Sequence, residues 1–134
     1  MAVLNASRCV HGPYEIETLK SWAVELNPNG APCFMMLGDS LRYTGRNEEA
    51  ITAYKKAIRL NPFPPSTFLY ALARSYFFTG QYEEGIATSR QAIQRAPNSI
   101  PSYLSLAVNL VASGRDEEAR AEVAEILRLN PKFS

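Results

Sequence analysis

Apolar positions recur at helical spacing along this chain, and the pattern stops and restarts at a regular interval. In "APCFMMLGDSLRYTG", Phe34, Leu37, Gly38 and Leu41 fall three and four residues apart, which places them on one helix face. In "RNEEAITAYKKAIRLNP", Ala50, Ile51, Tyr54, Ala57 and Ile58 form a second apolar face. Thr44-Gly45 separates the two stretches, because Gly takes the left-handed conformation that ends a helix without a Cβ clash. Asn47 is the expected N-cap of the second helix, with Glu48 and Glu49 near its positive end and Lys55, Lys56 and Arg59 toward the other. Pro62 cannot continue that helix, and it pushes Asn61 toward an extended conformation.

The punctuation repeats. Gly45, Gly80 and Gly114 are 35 and 34 residues apart, and Pro28, Pro62, Pro97 and Pro131 are 34, 35 and 34 apart. Each Gly is followed by an acidic pair: Glu48-Glu49, Glu83-Glu84, Glu117-Glu118. The extra residue falls at "NPFPPS", where Pro64 and Pro65 lengthen a connection. These marks define helix-pair units at 31–64, 66–99 and 100–133, a partial repeat helix at 14–30, and an N-terminal arm at 1–13.

The pattern resembles the tetratricopeptide repeat (TPR) family over about residues 14–133. Phe34, Leu37, Gly38, Leu41, Ala50, Tyr54, Ala57 and Pro62 match its motif in the first unit. Leu69, Leu72, Ala73, Tyr76, Ala92 and Pro97 match in the second, and Tyr103, Leu106, Ala107, Leu110, Ala119 and Pro131 in the third. The resemblance implies an all-α, right-handed solenoid of antiparallel helix pairs. Gly38, Ala73 and Ala107 are small enough for paired helices to approach closely. Val123 replaces the motif's aromatic in the third unit; Gly85 and Ser89 depart from it in the second. A mid-helix Gly costs about 1 kcal/mol relative to Ala, so Gly85 is either a tolerated defect or room for a bulky neighbour such as Tyr103.

Composition narrows the function. The 134 residues carry 14 Lys and Arg against 13 Asp and Glu, which gives no net attraction to nucleic acid or an anionic membrane. The arginines lie on many faces, mixed with acids, as on a solvated surface. No apolar run reaches the roughly 18–20 residues of a membrane span. Two cysteines, Cys9 and Cys33, are too few for a disulfide scaffold, so a reducing compartment is the default and a cytoplasmic location the expectation. Cys9 and His11 fall two ligands short of a structural zinc site. The acidic pairs sit at helix starts, where solvent and the helix dipole account for them. Asp39 is expected to pair with Arg42 or Arg74 on the surface. No enzyme, metal or cofactor is expected.

The resemblance implies instead a concave face, lined by the first helix of each pair, that binds extended peptides or partner helices. Carried over by position, it consists of Met35, Asp39, Arg42 and Tyr43, then Tyr70, Arg74, Phe77 and Phe78, then Leu104, Val108 and Val111. The Lys and Asn that chaperone-binding members use as a carboxylate clamp are absent, so a chaperone tail is not the expected partner. What remains is an apolar, aromatic face with two arginines. The expected activity is non-catalytic binding of a protein or peptide, with an alternative in self-association through uncapped ends or the N-terminal arm. In the last helix, Val123, Ile126, Leu127 and Leu129 provide the apolar positions for that alternative. The tail "EEARAEVAEILRLNPKFS" also resembles the closing repeat that follows bacterial adenylate cyclase catalytic domains. That likeness implies a regulatory segment of a larger bacterial protein such as a cyclase or sensor.

Overall fold

In the computed structural model, residues 15–26 and 30–133 are described. They form seven helices, α1 Ile16–Leu26, α2 Ala31–Tyr43, α3 Asn47–Arg59, α4 Ser66–Phe78, α5 Tyr82–Arg95, α6 Ile100–Ala112 and α7 Asp116–Leu129. There is no strand among the described residues. The fold is an all-α repeat fold. It falls into two compact units divided between Pro64 and Pro65, with α1–α3 in the first and α4–α7 in the second. The arm at 1–13, the Cys9/His11 pair and the Asn27-Pro28 stop lie outside the described residues.

Each of the pairs α2–α3, α4–α5 and α6–α7 is joined by a three-residue turn of the same design. Gly45, Gly80 and Gly114 have φ of 80°, 76° and 81°, where a side chain would be strained. The residue after each glycine donates its N–H five residues back. Arg46 donates to Leu41, Gln81 to Tyr76 and Arg115 to Leu110, at 2.8, 2.9 and 2.8 Å. The glycine N–H itself donates to Arg42, Phe77 or Val111. This double bond is the Schellman C-cap, which satisfies carbonyls left over at a helix end. A hydroxyl completes each turn: Thr44, Thr79 and Ser113 donate from Oγ to carbonyls one turn back.

The other full stop has its own chemistry. Ala96 and Asn130, each before a proline, are extended at φ −145°. The Oδ1 of Asn61 accepts the Phe63 N–H at 3.1 Å, and that of Asn130 accepts the Lys132 N–H at 3.2 Å. Asn therefore turns the chain with its side chain while Pro blocks further helix. One cap differs from expectation. Asn47 is the first residue of α3 rather than its cap, its Oδ1 is buried without a partner, and Arg46 stands at the cap position with its guanidinium paired to Glu49.

In the first unit, Ala23 and Cys33 are fully buried against Trp22, Leu26, Phe34 and Met36. Cys33 is disulfide-bonded, which departs from the expected reducing default. A Cβ on Gly38 would come 2.4 Å from Cε1 of Tyr54, so the glycine makes the room for that ring. In the second unit, Ile86, Leu106, Leu110 and Ala119 form the core, with Ile93 packed against them. Gly85 resolves in favour of the close neighbour, but the neighbour is Asn109 rather than Tyr103.

Candidate functional site

The residues expected on a concave face divide into three groups. The α2 group is largely engaged with its own unit. The buried Tyr54 hydroxyl donates to Asp39 Oδ1 at 2.5 Å and accepts from Arg42 Nε at 3.4 Å. Arg42 also sits 4.0 Å from the Asp39 carboxylate and 4.5 Å from the centre of the Tyr43 ring. Burial, and then the Asp39 hydrogen bond, push the Tyr54 phenol well above its ordinary pKa. Asp39 and Arg42 thus hold Tyr54 in place. Tyr43 is exposed and Met35 half-buried.

The second group gathers into a groove. Tyr70, Arg74, Phe77 and Phe78 of α4 and Pro101, Leu104, Ser105 and Val108 of α6 line one cavity of about 260 Å³. Successive positions four apart on each helix lie one above the next, so the lining follows two parallel stripes. Tyr76 is buried in the core, which leaves its neighbours to face elsewhere. Phe78 is 59% exposed, Leu104 37% and Val108 40%. Phe77 and Phe78 meet edge to face with ring centres 5.2 Å apart, and Phe77 also leans on Tyr82 at 6.1 Å. Phe77 is therefore the anchored ring and Phe78 the presented one.

Val111 belongs to neither stripe. It sits in the last turn of α6 and lines a separate cavity of about 400 Å³ with Asp116, Ala119, Arg120 and Val123. Val111, Val123 and Leu127 are about half exposed, while Ile126 is core. A larger cavity of about 470 Å³ lies in the first unit between α1, α2 and α3, a site the sequence did not suggest. Its floor of Leu37, Leu41 and Ala53 is at most 5% exposed, and its rim mixes Lys20, Lys56 and Arg59 with Glu49. That rim is charged, whereas the α4/α6 groove is edged by the exposed apolar side chains Phe78, Leu104 and Val108, which makes the groove the stronger binding candidate.

The acidic pairs lie in first turns, as expected, and two of their residues, Glu83 and Glu118, link α5 to the start of α7. Arg115 pairs with Glu83 at 3.5 Å and Glu118 at 2.7 Å, and Arg90 with Glu118 at 3.5 Å. Among the described residues there is no cluster of three acidic, His or Cys side chains able to hold a metal ion. No helix of the described residues is long and apolar enough to cross a membrane.

Two tetratricopeptide-repeat family models match this chain, over residues 35–100 and 80–134. The chain belongs to the tetratricopeptide repeat family. It is similar to the TPR repeat-containing protein YpiA of Bacillus subtilis (strain 168), at 26% identity over 78% of this chain and 32% of that protein. It also matches the human protein O-mannosyl-transferase TMTC2 at 26% identity, over 74% of this chain and 12% of that protein. The chain thus spans a third or less of the curated relatives it matches. Among solved structures it is similar to MamA, at TM-score 0.78 and 26% identity over 87% of this chain and 63% of that one. The first TPR domain of Spaghetti (RPAP3), solved bound to the HSP90 peptide SRMEEVD, shares the fold at TM-score 0.73 and 20% identity, over 77% of this chain and 81% of that one.

Proposed function

We propose that this chain is a non-catalytic protein-interaction module that binds a peptide or helix in the α4/α6 groove. The observation that carries the reading is the exposure of Phe78, Leu104 and Val108 around one cavity. Contiguous exposed apolar side chains of this kind mark contact surfaces. A rigid aromatic edge beside aliphatic side chains supplies contact area at low entropic cost. The RPAP3 domain, of the same fold, holds a peptide. The carboxylate clamp is missing here, since Tyr70, Arg74, Leu104 and Val108 stand at the α4 and α6 clamp positions. The partner is therefore chemically different from a chaperone tail. The test is a double substitution, Phe78→Ala with Val108→Ser. Partner binding falls while the circular dichroism melt stays close to that of the unmodified chain. A collapsed melt marks these side chains as core and defeats the reading.

A second reading rests on a separate observation. Val111, Val123 and Leu127 leave the α6/α7 face partly apolar. In a repeat fold each pair buries such a face on a neighbour. Assembly through this face, with a second copy or with further repeats, is the alternative function.

A further inference from the structure

We infer that the α4/α6 groove selects a peptide carrying an aspartate or glutamate side chain beside a bulky apolar one, and that Arg74 reads the acid. The inference rests on the groove being the binding surface. Helices α4 and α6 have thirteen residues each, "STFLYALARSYFF" and "IPSYLSLAVNLVA", and Arg74 is their single charged residue. Every other groove-lining side chain is aromatic, aliphatic or a serine. An arginine placed in such a lining is costly unless something pairs with it.

Nothing does among the described residues. The Nε of Arg74 is buried with no hydrogen-bond partner. Four other arginines of the unit behave differently. Arg90 and Arg115 reach Glu118, Arg120 reaches Glu117, and Arg128 reaches Glu125. The sequence thus supplies glutamates to those four surface arginines and none to the one in the groove. A buried guanidinium donor without an acceptor gains most from a charged one, because the desolvation of the donor has already occurred. The planar fork of arginine matches a carboxylate through two parallel bonds.

Position argues for a side-chain carboxylate rather than a chain terminus. Tyr70 lies one turn before Arg74 on α4, and Phe77 and Phe78 one turn after it. Apolar contact is therefore available on both sides of the charge. That suits a peptide that continues in both directions, with its acid in the middle.

The probe is a library of random twelve-residue peptides displayed without a free C-terminus, selected against the full chain and against Arg74→Gln. The unmodified chain is expected to enrich peptides with Asp or Glu next to bulky apolar residues. Arg74→Gln is expected to keep the apolar preference and lose the acidic one. One selected peptide, synthesised as the acetylated amide, is then compared with its Glu→Gln (or Asp→Asn) twin by fluorescence anisotropy. The unmodified chain should bind the twin about tenfold more weakly or worse, and Arg74→Gln should bind the two alike. Apolar enrichment without acid, or equal binding of the twins by the unmodified chain, overturns the inference and leaves the groove as a binding surface. If the selected peptides still bind Phe78→Ala with Val108→Ser at full strength, the groove itself is the wrong surface and the inference falls with it. Should Arg74→Gln fail to fold, the twin comparison on the unmodified chain decides alone.

Discussion

A Cβ added to Gly85 would lie 2.3 Å from the Oδ1 of Asn109, closer than any unstrained contact. Asn109 is fully buried, and its Nδ2 donates to the Ser105 carbonyl at 2.8 Å and the Ala73 carbonyl at 3.4 Å. The asparagine thus ties α6 to its own backbone and to α4, while α5 gives up a side chain to admit it. Its Oδ1, facing that glycine, has no partner.

Gly85→Ala should therefore destabilise the protein, although Ala is the better helix former by about 1 kcal/mol. Overpacking typically costs about 1–3 kcal/mol, so the net loss should be up to about 2 kcal/mol in a urea melt. Asn109→Ala should also destabilise, by the loss of its hydrogen bonds. In the double variant the alanine at 85 should become stabilising, because its clash is gone. Additive losses in that cycle would show that the two residues do not compete for one space.

The turn glycines should behave differently from Gly85. A Cβ on Gly80 meets nothing within 4 Å, so only its φ of 76° resists substitution. Gly80→Ala should cost about 1–2 kcal/mol, while Gly80→Asn should recover part of that, since Asn tolerates the left-handed region. Equal losses for the two variants in denaturant melts would count against a purely conformational origin.

Tyr54 predicts a pH dependence. Its phenol is held above its ordinary pKa of 10.0, first by burial and then by its bond to Asp39. Below pH 10 both folded and unfolded chains keep the proton, and the contribution is fully present. Above pH 10 the unfolded chain releases it and the folded chain does not, so stability falls as pH rises, by about 1.4 kcal/mol per unit. Tyr54→Phe should be less stable near neutrality and should lose less stability between pH 10 and 11. Parallel pH profiles for the two proteins would contradict this.

The α6/α7 face gives an independent test of assembly. Leu127→Glu changes a side chain that is 43% exposed, so its melt should shift little. If the face joins copies, sedimentation of the unmodified chain should show mass rising with concentration, and Leu127→Glu should abolish the rise. A unmodified chain that stays monomeric at high concentration would remove the second reading.

The turns were legible because their chemistry is local. Thr44-Gly45 and Asn61-Pro62 carry their own hydrogen bonds within a few residues, so order along the chain is enough to read them. The partners of Gly85 and Tyr54 were not, because Asn109 and Asp39 arrive from other helices. Helical spacing says which side of α2 Asp39 lies on, but not that a buried tyrosine reaches it. The same gap separates Val111 from Leu104 and Val108. All three are spaced as one stripe, but the last turn of α6 runs beside α7, and Val111 finds Val123 there. The aromatic pair Phe77-Phe78 stood out because Tyr76 already filled the packing position. The isolation of Arg74 was hidden, because a sequence does not show which arginines find glutamates.

The most direct test of the account is a ¹⁵N correlation spectrum of the full chain titrated with a peptide selected from the random library. The account predicts shifts concentrated at Tyr70, Arg74, Phe78, Leu104 and Val108, with the Arg74 side-chain Nε–H moving markedly as it gains an acceptor. Shifts confined to the α5/α7 surface or to the α1–α3 unit, with these five unmoved, would contradict it.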